Sequence, residues 1–276
     1  MINIRVTQIY YYPIKSCKGF SVGEREIIST GFKDDRLFMI VDESGKFVTQ
    51  RSHPQMALIK AEVEQNFITV EIPGEEKFKI DTSGGNNFKK VRVEIWKDHP
   101  SGYDMGDDIA EKLSKFLNKK VRLVKKSRQK RVVNPKYAKH AEEVGFADGY
   151  PFLLTSESSL KDLNERIGGN LPMGRFRPNI VVSGSSPWDE DRWAKIKIGN
   201  VFFDVVKACA RCTITTVDQI RGIRDGREPL ATLAKFRKAE GGVLFGQNMI
   251  HNSNGIIKLG DRVEVLDYKE PEIKTL

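Results

Sequence analysis

Lys195-Ile196-Lys197-Ile198-Gly199-Asn200-Val201-Phe202-Phe203-Asp204-Val205-Val206 reads as two strands joined by a two-residue turn. Gly199 and Asn200 tolerate the positive φ that tight hairpins require. Outward from this hairpin, strand signals dominate. Ile4–Tyr12 alternates and is rich in β-branched and aromatic residues; Leu37–Val41 and Lys46–Gln50 flank the turn cluster Asp42-Glu43-Ser44-Gly45 and read as a second hairpin. Val91–Trp96, Val121–Val124, Asn179–Ser183 and Arg262–Leu266 are further short candidates. Helices are few. Asp107–Leu117 puts Ile109, Leu113, Phe116 and Leu117 on one face, and Ser156–Ile167 does the same with Leu160, Leu163 and Ile167 before stopping at Gly168-Gly169. Pro229–Arg237 starts on proline and buries Leu230, Leu233 and Phe236. Many short strands with three isolated helices predict a β-rich α+β fold; no βαβ rhythm, GxGxxG or Walker loop supports a nucleotide-binding sheet.

The 276 residues are 39% apolar and 30% charged, an ordinary globular composition with no run of apolar residues long enough to span a membrane as a helix. The opening segment enters a strand pattern with no h-region or cleavage site, which makes a cytoplasmic location in a prokaryote the default expectation. Three cysteines are no disulfide framework, so reduced thiols are expected. Net charge is +9, and Lys119–Arg131 concentrates it: eight lysines and arginines with no acid, followed by Lys136 and Lys139. A solvated loop, an anion-binding rim and a docking surface for an acidic protein all fit this run. Nucleic acid ranks last, because interleaved aromatics and recognition motifs are missing. Asn134-Pro135 marks a boundary or a long loop between two patterned halves.

Four segments could carry chemistry. In Tyr12-Pro13-Ile14-Lys15-Ser16-Cys17-Lys18-Gly19, Pro13 ends a strand and leaves Lys15 and Ser16 in a turn with a charge and a hydroxyl to offer an anion; an exposed turn lysine is the alternative, and Cys17 reads as a buried thiol. Arg175-Phe176-Arg177-Pro178-Asn179 sets planar donors at a strand mouth, suited to an anionic or heteroaromatic ligand or to a surface ion pair. Arg36 in Asp34-Asp35-Arg36 reads alone as a salt-bridged arginine. Cys209-Ala210-Arg211-Cys212 follows the hairpin strand. Zinc wants four ligands and no second C-x-x-C exists, while a thioredoxin-like pair lacks its βαβ context, which leaves a thiolate beside the cation of Arg211. Leu244-Phe245-Gly246-Gln247-Asn248 offers a glycine for a bulge or for close approach of a ligand.

In this order the segments resemble the MOSC family. Tyr12–Gly19 is similar to the signature of a MOSC N-terminal β-barrel domain; Phe152–Glu157, Asn164, Arg177–Val181, Cys209–Asp218 and Leu244–Gln247 are similar to a MOSC domain. The pattern is like that of the mitochondrial amidoxime-reducing component and of bacterial reductases of N-hydroxylated compounds. The resemblance implies an N-terminal β-barrel-like domain over residues 1–122 and a MOSC β-barrel domain with a few peripheral helices over 123–270. It implies the molybdenum cofactor, Mo-molybdopterin, with Cys212 as the metal's protein ligand and catalytic residue. Lys15, Ser16, Arg36, Asp148, Arg177, Asn179 and Arg211 are then the cofactor-binding residues, together with Gly149 and Tyr150, where the family pattern has two hydroxyl residues.

The activity implied is reduction of N-hydroxylated or N-oxide substrates by oxygen-atom removal from a small molecule. Electrons would come from a separate ferredoxin-, flavodoxin- or cytochrome-like protein, which the Lys119–Arg131 surface would receive. Asp148 and Asp218 are candidate proton donors, although each also reads as structural. The alternative function is a molybdenum-cofactor carrier or a sulfur (persulfide) transfer protein, and no pyridoxal-phosphate-dependent desulfurase segment accompanies it.

Overall fold

A computed structural model describes residues 3–83, 88–138 and 140–273. Strands take 41% of the chain and helices 17%, so the β-rich α+β expectation holds. The largest sheet has nine strands. Eight of them run in the spatial order Phe20–Val22, Arg5–Tyr11, Ile180–Ser183, Phe152–Ser156, Gly242–His251, Val201–Arg211, Trp193–Ile198, Val263–Tyr268. The first strand of the chain therefore pairs antiparallel with Ile180–Ser183, Ile9 facing Ile180. Smaller sheets complete the N-terminal half: Phe38–Asp42 with Val121–Lys126, Ser101–Asp104 and Lys90–Arg92, and the meander Lys60–Glu64, Phe67–Glu71, Phe78–Asp81.

The hairpin over Lys195–Val206 forms with Ile198 facing Val201 across Gly199-Asn200. Its second strand outruns the expected end at Val206 and continues to Arg211, because Ala208, Ala210 and Arg211 keep pairing with Gln247, Leu244 and Val243. The cysteine pair thus lies on and just beyond a strand end instead of in a following loop. The second expected hairpin is half formed. Phe38–Asp42 is a strand, while the Lys46–Gln50 arm holds isolated bridges at Lys46 and Phe47, the Asp42 carboxylate accepting from the Ser44 and Lys46 N–H groups and curling the chain.

All three helices form. Asp107–Leu117 has the expected bounds and buries Ile109, Leu113 and Leu117. Glu157–Ile167 ends on Gly168 in the left-handed conformation, although the Ser156 hydroxyl bonds Ser158 and makes no cap bond. Leu230–Phe236 packs Leu233 against Phe245 and Leu163.

Gly246 shows why the Leu244–Asn248 segment needs a glycine. Its φ is +78°, and a Cβ there would lie 2.7 Å from the Leu154 carbonyl of the neighbouring strand. The close approach is to backbone, so Gly246 serves the sheet. Gly246→Ala is expected to lower unfolding free energy by about 2 kcal/mol or more, from strained φ and a forced strand separation, read by denaturant titration.

The Lys119–Arg131 run is not the uniform positive surface that its sequence suggested. Lys119 pairs with Asp42, Lys120 with Glu43, Arg122 with Asp104 and Asp107, and Lys130 with Glu143. Arg131 is buried: it pairs with Asp98 at 2.7 Å and donates to the carbonyls of Gly145, Ala147 and Asp148. Acids from other segments neutralise part of the run, while these ion pairs leave out Lys125, Lys126 and Arg128. Lys139 lies outside the described residues. No helix among the described residues is long and apolar enough to cross a membrane.

Candidate cofactor site

The ten sequence-derived candidates, Lys15, Ser16, Arg36, Asp148, Gly149, Tyr150, Arg177, Asn179, Arg211 and Cys212, all line one cavity of about 360 Å³. The sheet explains the convergence. Pairing Arg5–Tyr11 with Ile180–Ser183 brings the turn at Lys15 beside Arg177 and Asn179, and Val201–Arg211 delivers the cysteines to the facing wall.

Lys15 is held in place by its own N–H, which donates to the Phe38 carbonyl at 2.8 Å. Its side chain is 7% exposed and its Nζ donates to Asp148 Oδ1 at 2.5 Å. Burial pushes the Lys15 amine below its ordinary range, with Asp148 opposing. Asp148, 66% exposed at the mouth, also accepts from the Trp96 indole at 3.1 Å. The surrounding walls oppose its charge, but Lys15, the indole and the more distant Arg51 together hold its carboxyl well below the carboxylate range. Asp148 is therefore an anion that anchors Lys15. Asp218, the other candidate donor, caps a turn: backbone and side-chain bonds from Arg221, with another from the Ile220 N–H, pull it down to about 2.

Two guanidinium groups share a buried tyrosine. Arg36 and Arg177 each lie 4.2 Å from the Tyr12 ring centroid, and the Tyr12 hydroxyl donates to the Pro178 carbonyl at 2.9 Å. Arg36 pairs with Asp35 at 2.5 Å, as its local sequence suggested, and also donates to Asn179 Oδ1 at 3.1 Å. The Asn179 amide is committed to protein: its Oδ1 also accepts from the Leu153 N–H, and its Nδ2 donates to the Tyr10 carbonyl. It stitches three strands and orients Arg36. Burial lowers Arg177 to about 10, which leaves it cationic at neutral pH. Arg175, its neighbour in sequence, instead pairs with Asp225 at 2.5 Å and lies outside the cavity.

Ser16, Arg36 and Arg177 all have left-handed backbones, with φ of 63°, 47° and 54°, and so does Trp96 on the rim at 57°. Such conformations cost non-glycine residues about 1–3 kcal/mol each and persist where surrounding structure enforces them, commonly at working sites.

The three cysteines differ. Cys17 is 1% exposed and burial pushes its thiol up to about 12, so it is core. Cys209 lines the cavity, but its Sγ accepts from Arg211 at 2.9 Å. Cys212, one residue past the strand, has an exposed side chain on the cavity wall. Arg211 also donates to the Phe176 carbonyl at 2.6 Å, while its buried Nε has no partner.

Six cations line the cavity, namely Lys15, Arg36, Arg51, Arg177, Lys207 and Arg211, against the single carboxylate of Asp148. Arg51, Arg177 and Arg211 have no carboxylate at ion-pair distance among the described residues. Partly buried charge without a counter-charge is costly, so this wall is built for an anionic ligand. Arg51 and Trp96 escaped sequence reading as site residues, and Tyr12 and Asp35 entered it only as the neighbours of the Pro-Ile-Lys-Ser turn and of Arg36.

A cation-lined cavity with one exposed thiol side chain, set in a β-rich α+β fold, defines a protein that binds an anionic ligand beside a cysteine. Residues 3–120 match the MOSC N-terminal beta barrel domain and residues 141–264 the MOSC domain. Mitochondrial amidoxime-reducing component 1 of Mus musculus is 34% identical over 95% of this chain and 82% of its own length. Component 2 of Rattus norvegicus is 35% identical over 94% and 82%, and component 1 of Homo sapiens 34% over 95% and 82%. The chain belongs to the MOSC family of molybdenum-cofactor enzymes, among the amidoxime-reducing components.

Proposed function

We propose that this protein reduces N-hydroxylated compounds, amidoximes among them, with Cys212 as the protein ligand to molybdenum. The observation that supports this most directly is the exposed Cys212 side chain on the wall of a cavity with six cations and one carboxylate. When bound, the cofactor supplies the two-electron chemistry that removes oxygen from nitrogen. Lys15, Ser16, Arg36, Arg177 and Arg211 bind the anionic pterin group by charge-assisted and hydroxyl hydrogen bonds. Asn179 orients Arg36, and the Asp148-Gly149-Tyr150 loop, clamped from behind by Arg131, closes one side. At Gly149, where the family pattern has a hydroxyl residue, backbone is the only contact available. Electrons are assigned to a separate redox protein.

The test is metal analysis of protein from a cofactor-competent host, followed by reduction of a simple amidoxime with an artificial donor. Bound molybdenum and conversion to the amidine are expected. Loaded protein that transfers sulfur yet reduces no amidoxime would overturn the reading in favour of a carrier or persulfide role.

A further inference from the structure

The mouth of the cavity carries more aromatic surface than anion binding requires. Trp96 stands in the turn between Ile95 and Asp98, whose backbones bond each other at 2.9 Å, and is 49% exposed. Its ring lies 5.2 Å from that of Phe47. The Arg51 guanidinium lies 4.5 Å from the Trp96 centroid and 5.5 Å from that of Phe47. These three residues, with Thr49, Lys46 and Lys97, line a second open cavity of about 560 Å³. Thr49 and Arg51 line both cavities, so the two spaces are neighbours.

We propose that this second cavity is a subsite for the planar aromatic body of an N-hydroxylated substrate, and that Trp96 sets a preference for aromatic over aliphatic substrates. The inference rests on the reduction reading above. The Trp96 indole, half in water on a left-handed backbone, rests against Phe47 and Arg51, and its Nε1–Asp148 hydrogen bond fixes its position. That bond ties the ring to the Lys15 wall, so the stacking surface is set before a ligand arrives and little ordering is needed on binding. The Arg51 guanidinium, which has no carboxylate partner among the described residues, adds a second planar surface for a π-system. A ligand whose N–O group reaches past Arg51 leaves its ring on Trp96.

The test uses holoprotein with two probes of similar reactivity, an aromatic and an aliphatic amidoxime. Of the three tryptophans, Trp193 is buried and Trp188 is packed against Phe236 and Phe245, so quenching of indole emission by the aromatic probe reports chiefly on Trp96. Quenching is expected in the wild type and not in Trp96→Phe. Trp96→Ala is expected to weaken binding of the aromatic probe about tenfold and to lower the aromatic-to-aliphatic ratio of kcat/KM by the same factor, chiefly through KM. Trp96→Phe keeps a stacking ring and should keep most of that ratio. An unchanged ratio in Trp96→Ala, or a wild type with no aromatic preference, would overturn the subsite while leaving the reduction reading intact. Aromatic probe that binds and quenches but is never reduced would sink the reduction reading and leave the subsite standing.

Discussion

Cys212→Ser is expected to lower molybdenum-dependent turnover by more than about 100-fold, beyond the 10–100-fold typical of losing a residue that merely supports a metal ligand. A serine hydroxyl stays protonated at neutral pH and is a poor substitute for a thiolate. The pterin contacts from Lys15, Arg36 and Arg177 come from other strands and turns, so some cofactor should remain bound. Cys209→Ser is the control. Its Sγ accepts one hydrogen bond from Arg211, and a serine Oγ can accept the same bond, so most activity should survive. Molybdenum content and turnover measured together separate the two cysteines. If Cys209→Ser were the inactive variant and Cys212→Ser the active one, the ligand assignment would be reversed.

Removing a cation from the wall should act on cofactor affinity. Each charge-assisted contact contributes about 1.5–3 kcal/mol, so Lys15→Ala or Arg177→Ala is expected to weaken cofactor binding by about 10- to 150-fold. The Lys15 variant is the cleaner one. Asp148 is 66% exposed and can hydrate once its partner is gone, so the fold should be little affected. Yet the cavity loses a positive charge and uncovers a negative one, and both changes oppose an anion. Pterin content should fall while the melting temperature of cofactor-free protein stays within a few degrees. Full occupancy with impaired substrate binding would move Lys15 from the cofactor to the substrate.

Local pattern carried a good deal of this. The turn at Gly199-Asn200 and the helix Asp107–Leu117 stand where sequence placed them, because their signals, a positive-φ dipeptide and a 3.6-residue apolar period, lie within the element itself. Strands such as Lys60–Glu64 and Phe78–Asp81 were missed. They expose alternate charged residues and bury only Ala61 and Ile80 to any depth, too weak a period over so short a span. The cavity residues were found through resemblance to a family more than through local chemistry. Read alone, Lys15 was an ordinary turn lysine, and nothing near it announces Asp148, its partner across 133 positions. Arg131 failed in the opposite direction: among like charges it reads as surface, but carbonyls of a later loop draw it inside. Ion pairing between distant segments is invisible to a charge count along the chain.

The pairing of the first strand with Ile180–Ser183 also sets a timetable. A ribosome adds about 5–20 residues per second, so Arg5–Tyr11 emerges and then waits roughly 10–35 s before its partner strand exists. Throughout that interval an apolar edge carrying Ile9 and Tyr11, both buried in the finished molecule, is open to chaperones and to nascent neighbours. The turn bearing Lys15 and Ser16 is held locally by Phe38, but the cavity that it shares with Arg177 and Asn179 cannot be completed until this strand docks. Loading with cofactor is therefore an event that follows synthesis, and slow codons placed between the two strands should lower the yield of loaded protein more than the yield of total protein.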